Sequence, residues 1–218
     1  MSLNLSDIFK KKYLKGYFKR NKKIFITAIV LFVLLGVLSV FAGGYSQTVS
    51  LSEKSLSQAN IGDDSTHPNL KNITTVESFV ELTCHNLIQD LTCLFGGLLL
   101  FIPSLFISAI NAYNFLTIFI TYPLPVIIYG ILPHGIFEIP SSIFALAGAI
   151  MLFKTEINVI KGIISSKTTV KDKINESEYL IKDAIITCFI VILLLVVAGF
   201  IEIFITPGLI DNFALDYI

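Results

Sequence analysis

The chain has 218 residues, of which 54% are hydrophobic and only 15% charged, with a mean hydropathy of +0.79, which is too apolar for an ordinary soluble domain of this length. Lys+Arg and Asp+Glu both number 16, so no net basic charge points to nucleic acid as a partner, and the placement of the charges carries the information. The three cysteines, Cys84, Cys93 and Cys188, include no Cys-x-x-Cys pair and are odd in number, so they support neither a disulfide framework nor a zinc ribbon and read as small apolar packers.

Residues 1–23 read as a basic cytoplasmic segment carrying Lys10, Lys11, Lys12, Lys15, Lys19, Arg20, Lys22 and Lys23. Tyr13, Leu14, Tyr17 and Phe18 lie between these lysines, as in an amphipathic helix on anionic lipid, although the cluster can equally serve only to fix topology. Residues 24–44 follow as a first transmembrane helix. The run 24–43 carries no charge and spans a hydrocarbon core of about 30 Å at about 1.5 Å per residue, longer than a secretory h-region, so an uncleaved anchor is expected.

Residues 45–76 are rich in Ser, Thr, Asn and Asp and read as a polar extracytoplasmic loop. Asn72-Ile73-Thr74 in this loop is an N-glycosylation pattern of low specificity. The rest, 77–218, reads as a helical membrane domain. Phe79, Val80, Leu82, Leu87 and Leu91 define an apolar side, with Glu81, His85, Asn86 and Asp90 opposite, which suits an interfacial lead-in. That lead-in enters a second span over 91–110, kinked at Pro103, and Asn111 and Asn114 mark a turn. A third stretch covers 115–132 and a fourth 134–153, joined by the proline-bounded segment "LPHGIFEIP"; a lysine-rich segment over 154–183 precedes the last span, 184–206. The small residues Gly36, Gly96, Gly97, Ala145, Gly148 and Ala149 suggest close helix packing.

The fold class expected is therefore all-α: a polytopic helical membrane protein with five transmembrane helices and a proline-broken hairpin between the third and fourth. Eight Lys/Arg precede residue 24 and six lie in 154–183. Five crossings from a cytoplasmic N-terminus keep both groups inside and put the C-terminus outside.

In that arrangement Glu138 and Glu202 each lie about 6 Å from the outer end of their spans, and His85, Asn86 and Asp90 fall on the same side. A carboxylate in a membrane helix needs protein or water rather than lipid beside it. His134, Glu138, Glu202, Asp90, Asn86 and His85 therefore form an expected polar intramembrane cluster. Three uses are open to it: a hydrogen-bonded lock between helices, a site for protons, cations or a headgroup amine, or a metal or hydrolytic centre. The residue types suit a metal, but no sequence spacing demands one, so no metal, cofactor or catalytic residue is assigned.

The stretches "ILPHGIFEIPSSIFALAGAIML" and "VAGFIEIFITP" are similar to the stage II sporulation protein M family of integral membrane proteins, in order and in membrane position, over roughly residues 77–207. His85-Asn86 and the "NAYN" beginning at Asn111 resemble the family's asparagine-bearing segments, with Ala112 where a glycine is common. The resemblance implies an all-helical membrane protein that, in endospore formers, works with peptidoglycan-degrading partners as the anchor and not the hydrolase. It carries over His134, Glu138 and Glu202 as motif residues. The function expected is thus a non-enzymatic scaffold or anchor of a cell-envelope complex, in contact with membrane lipids and an envelope protein partner, with homo-oligomer formation left open. The alternative is an ion-coupled transporter or lipid-handling protein using the same outer cluster.

Overall fold

The structure is a computed structural model describing residues 8, 10–44, 75–164, 169–214 and 217, and all regular structure among them is helical. Residues 45–74, including the Asn72 pattern, lie outside the described residues.

Helix α1, Lys11–Ser39, runs through the 23/24 boundary without a break and ends in a wide π turn, Val40–Gly44. Tyr17, Asn21, Ile24, Ala28, Phe32 and Gly36 are its buried residues. Their spacing of three or four places one stripe along the helix, and the remaining faces carry lysine below and bare aliphatic side chains above. The basic segment is thus the first three turns of the same helix, not a separate surface element.

Helix α2, Thr75–Phe95, is followed by the tight turn Gly96–Leu98 and by α3, Ile102–Thr121. This corrects the expected span over 91–110. The apolar run there folds back on itself, Leu100 and Phe101 adopt left-handed φ of 53° and 64° to make the reversal, and Pro103 sits in the first turn of α3 instead of kinking a helix. Proline is well tolerated there, because the first N–H groups of a helix have no intrahelical acceptor. Asn111, expected in a turn, is buried in the middle of α3.

The next break is at Tyr122 and Pro123, followed by a short lead-in Leu124–Val126, a π turn Ile127–Ile131 and α4, Leu132–Ile164. The expected proline-broken hairpin between spans over 115–132 and 134–153 is therefore replaced by one helical stretch, with Pro140 inside it. The π turn lies between Pro125 and Pro133, two residues that each remove an N–H from the helical ladder.

Helix α5, Val170–Phe204, starts from a capping box in which Thr169 Oγ1 accepts from Asp172 N at 3.2 Å and Asp172 Oδ2 from Thr169 N at 3.1 Å. Pro207 opens the short α6, Thr206–Phe213.

The α4–α5 antiparallel pair forms the centre, with Ala145, Leu146, Ala147, Ala149, Met151, Val191 and Leu195 buried. Helix α2 fits against both. A Cβ on Gly97 would meet the Ala149 backbone, with Cα at 2.8 Å, and one on Gly148 would meet Leu94 Cδ1 at 2.9 Å. Helix α1 closes on α3 where Gly36 faces Ala112. These small residues act within the chain, as their spacing suggested.

Large apolar side chains remain exposed along the outside, among them Val30, Val33, Phe41, Phe106, Phe189 and Leu193, a belt that only lipid can cover. Four helical stretches are long and apolar enough to cross a membrane: Lys11–Ala42, Ile102–Thr121, Leu124–Ile164 and Val170–Phe204. Helix α2 is not among them because Glu77, Glu81, His85, Asn86, Gln89 and Asp90 dilute its apolar content.

Candidate functional site

His134, Glu138 and Ser142 follow one another at intervals of four on α4, so they share a face. That face meets Asn86 and Asp90 of α2, Asn111 of α3 and Glu202 of α5 around one cavity of about 570 Å³, with Thr206 and Ile210 of α6 also on its wall.

The polar groups sort into two layers about one helical turn apart. In the deeper layer Asp90 is buried and accepts from three neutral donors: Ser141 Oγ at 2.7 Å, Ser142 Oγ at 3.1 Å and Asn111 Nδ2 at 3.3 Å. Asn111 Nδ2 also donates to Ser142 Oγ at 3.2 Å, and Gln89 donates to Asn111 Oδ1. Asp90 is thus supplied with donors from two other helices, and α2, α3 and α4 are tied together at this level.

In the shallower layer one ligating atom each from His134, Glu138 and Glu202 lie within 4.8 Å of one another. Asn86 Nδ2 donates to Glu138 Oε1 at 3.2 Å. His134 Nδ1 is buried and has no hydrogen-bond partner among the described residues. All three residues of this group are half-buried. His85 is exposed at the edge of the cavity and does not join them.

The six residues expected in one cluster line one cavity but differ in their contacts. His134, Glu138 and Glu202 converge, Asn86 orients one of them, Asp90 belongs to the buried lock, and His85 stands apart. Ser141, Ser142 and Gln89 were not singled out beforehand. Ser142 continues the four-residue repeat of His134 and Glu138, a signal present in the sequence; Ser141 and Gln89 carry no such signal.

The basic residues occupy the opposite end. Lys10, Lys11, Lys12, Lys15, Lys19, Lys22 and Lys23 are exposed on the first turns of α1. Arg20 differs. Its Nε and Nη2 reach Asp183 at 3.0 and 2.6 Å, Asn21 Nδ2 reaches the same carboxylate at 2.7 Å, and the guanidinium lies 4.2 Å from the Tyr13 ring centroid. Tyr17 and Thr187 share a hydrogen bond of 2.6 Å one turn away. Together these contacts place the base of α1 beside the base of the apolar part of α5.

Residues 14–207 match the family described as stage II sporulation protein M. A protein of Methanocaldococcus jannaschii described as uncharacterized is 28% identical over 199 residues, covering 91% of this chain and 88% of that one. No solved structure matches.

Proposed function

Because the chain belongs to the stage II sporulation protein M family, an assignment that fits its apolar helices, we propose that it is a multi-pass membrane protein that binds a cationic ligand in the outer-half cavity. The protein crosses the bilayer five times in this reading, with α2 as the additional crossing, and it is not itself an enzyme. The observation that carries the reading is the cavity: about 570 Å³, lined by Asp90, Glu138 and Glu202, with no Lys or Arg on its wall among the described residues. Carboxylates at this depth are tolerated when they face a cavity or a partner, and three of them without a basic side chain favour a positive ligand from outside. Ion coupling and handling of an amine-bearing lipid headgroup both use such a site.

A second reading, an anchoring component of an envelope complex, is favoured by the Asp90 network. Three helices locked by side-chain hydrogen bonds suit a rigid docking platform, and the family resemblance points the same way. A platform has no need of the cavity, however, and the cavity is what sets the first reading ahead.

The experiment is native mass spectrometry of the full chain released from lipid nanodiscs containing an aminophospholipid, beside a Glu138→Gln, Glu202→Gln double variant. The cation reading expects a bound amine lipid or metal cation on the unaltered protein and its loss from the variant. Co-purification of a defined envelope protein, lost in the variant, with neither lipid nor cation bound, would replace it with the anchor.

A further inference from the structure

We infer that His134, Glu138 and Glu202 form a binding site for one divalent first-row metal ion. The inference rests on the cation reading of the cavity and names the cation. One imidazole and two carboxylates, drawn from α4 and α5, supply one ligand atom each within 4.8 Å of one another. Around an ion with bonds of about 2.0–2.2 Å the ligand atoms of a tetrahedron stand about 3.4 Å apart. The longest present separation therefore has to shorten by no more than about 1.4 Å, which rotation of a glutamate side chain provides.

Three further features fit an ion. Two carboxylates this close repel each other, and with no lysine or arginine on the cavity wall among the described residues a divalent cation balances both charges at once. The buried Nδ1 of His134 lacks a partner among the described residues, an arrangement that is costly for a polar atom unless another group meets it. Asn86 holds Glu138 by Oε1, which leaves Oε2 to turn toward the ion and supplies the kind of outer hydrogen bond that orients metal ligands. The imidazole favours Zn²⁺ over Mg²⁺ and Ca²⁺, which prefer oxygen alone, while the two carboxylates also suit Mn²⁺. Three protein ligands leave at least one coordination position, and the cavity is where water or a ligand oxygen would occupy it.

The test uses the full chain in mild detergent, stripped with a chelator, dialysed against Zn²⁺ or Mn²⁺, and assayed for metal by mass spectrometry and for unfolding temperature. About one ion per chain is expected, with a rise in unfolding temperature as saturation proceeds. His134→Ala and the Glu138→Gln, Glu202→Gln pair should lose the ion. Asn86→Ala should keep the stoichiometry and weaken binding roughly 10- to 100-fold. Visible absorption of bound Co²⁺ on the unaltered protein reports an imidazole–carboxylate environment even where a variant fails to fold. Uptake that is not saturable, or that is equal in the variants, overturns the site. An amine lipid retained by a protein that takes up no metal also overturns the ion, while leaving the cavity reading in place; a folded protein that takes up neither defeats both.

Discussion

Asp90 on α2 and Gly97 in the turn after it are both packed inward, and each defines a different kind of cost. Asp90→Ala would strand the hydroxyls of Ser141 and Ser142 and one N–H of Asn111, all directed at its carboxylate. Each unmet buried donor costs about 1–3 kcal/mol in water-soluble proteins and less in membrane helices, where other partners are found. A loss of about 2–3 kcal/mol is expected, read as a lower unfolding temperature in detergent, with Asp90→Asn milder because its amide oxygen still accepts. A change no larger than that of a surface substitution would mean that the network relaxes around the gap. Gly97→Ala acts through volume instead. Its Cβ would lie 2.8 Å from Ala149 Cα and closer still to the neighbouring carbonyl, and backbone cannot swing aside as a side chain does, so a cost of about 1–3 kcal/mol follows. Gly208 is the control: nothing lies within 4 Å of a Cβ there, and in a helix alanine is better than glycine by about 1 kcal/mol. Gly208→Ala should therefore be neutral or slightly stabilising in the same melt.

Among the elements, the apolar parts of α1 and α5 were legible because long uncharged runs translate into helix length, but both helices begin earlier, at Lys11 and Val170, inside the charged segments; the all-helical class followed from the same periodicity. The α2–α3 hairpin was not. Both of its arms are apolar, so the hydropathy of 91–110 is the same whether the chain continues or turns back, and the turn itself rests on Leu100 and Phe101 at positive φ, where glycine would have been the readable signal. Pro103 marked the spot but was ambiguous between a kink and a first turn. The stretch around Pro140 failed for the opposite reason: proline within an apolar run reads as a break, whereas α4 continues through it. The site was legible as a depth, since His134, Glu138 and Glu202 could be counted from span ends, but not as a contact, which depends on how α4 and α5 are rotated. The clasp between α1 and α5 was likewise invisible, because Arg20 looked like one basic residue among eight. Asp183 is fully buried and Arg20 is 31% exposed. Arg20→Ala removes the charged partner of that carboxylate, and breaking a buried pair this way costs about 3–5 kcal/mol, less here because the arginine is partly solvated. Arg20→Lys should recover only part of the loss, since an ammonium cannot reproduce the two-point contact. Equal melts for both variants and the unaltered protein would remove the clasp from the account of how α1 is held.

At the scale of the whole molecule the packing bears on how the chain sits in the bilayer. Leu100 N donates to Glu156 at 3.2 Å and Phe101 stacks on Phe153, so the tip of the α2–α3 hairpin reaches a level on α4 that is 18 residues beyond Glu138, about 27 Å at 1.5 Å per residue. That distance is most of a hydrocarbon core of about 30 Å. Helix α2 thus runs beside α4 over most of that distance, with His85, Asn86, Gln89 and Asp90 on the cavity wall and Glu77 and Glu81 exposed near its start. Counting α2 with the four apolar stretches gives the five crossings we propose. The bases of α1 and α5 meet through Arg20 and Asp183, so the eight basic residues before position 24 and the six in 154–183 share one side. From the excess of lysine and arginine we propose that this side is cytoplasmic and that the cavity with α6 faces the exterior. Single cysteines placed in a background with Cys84, Cys93 and Cys188 replaced by serine test this with a membrane-impermeant maleimide. Asp211→Cys, exposed on α6, should label in intact cells. Lys15→Cys and Lys171→Cys, exposed at the two basic segments, should label only after the membrane is opened. Labelling of Lys171→Cys but not of Lys15→Cys in intact cells would separate the two basic ends and contradict the helix packing itself, whereas labelling of both with Asp211→Cys protected would invert the protein and move the carboxylate cavity to the cytoplasmic half.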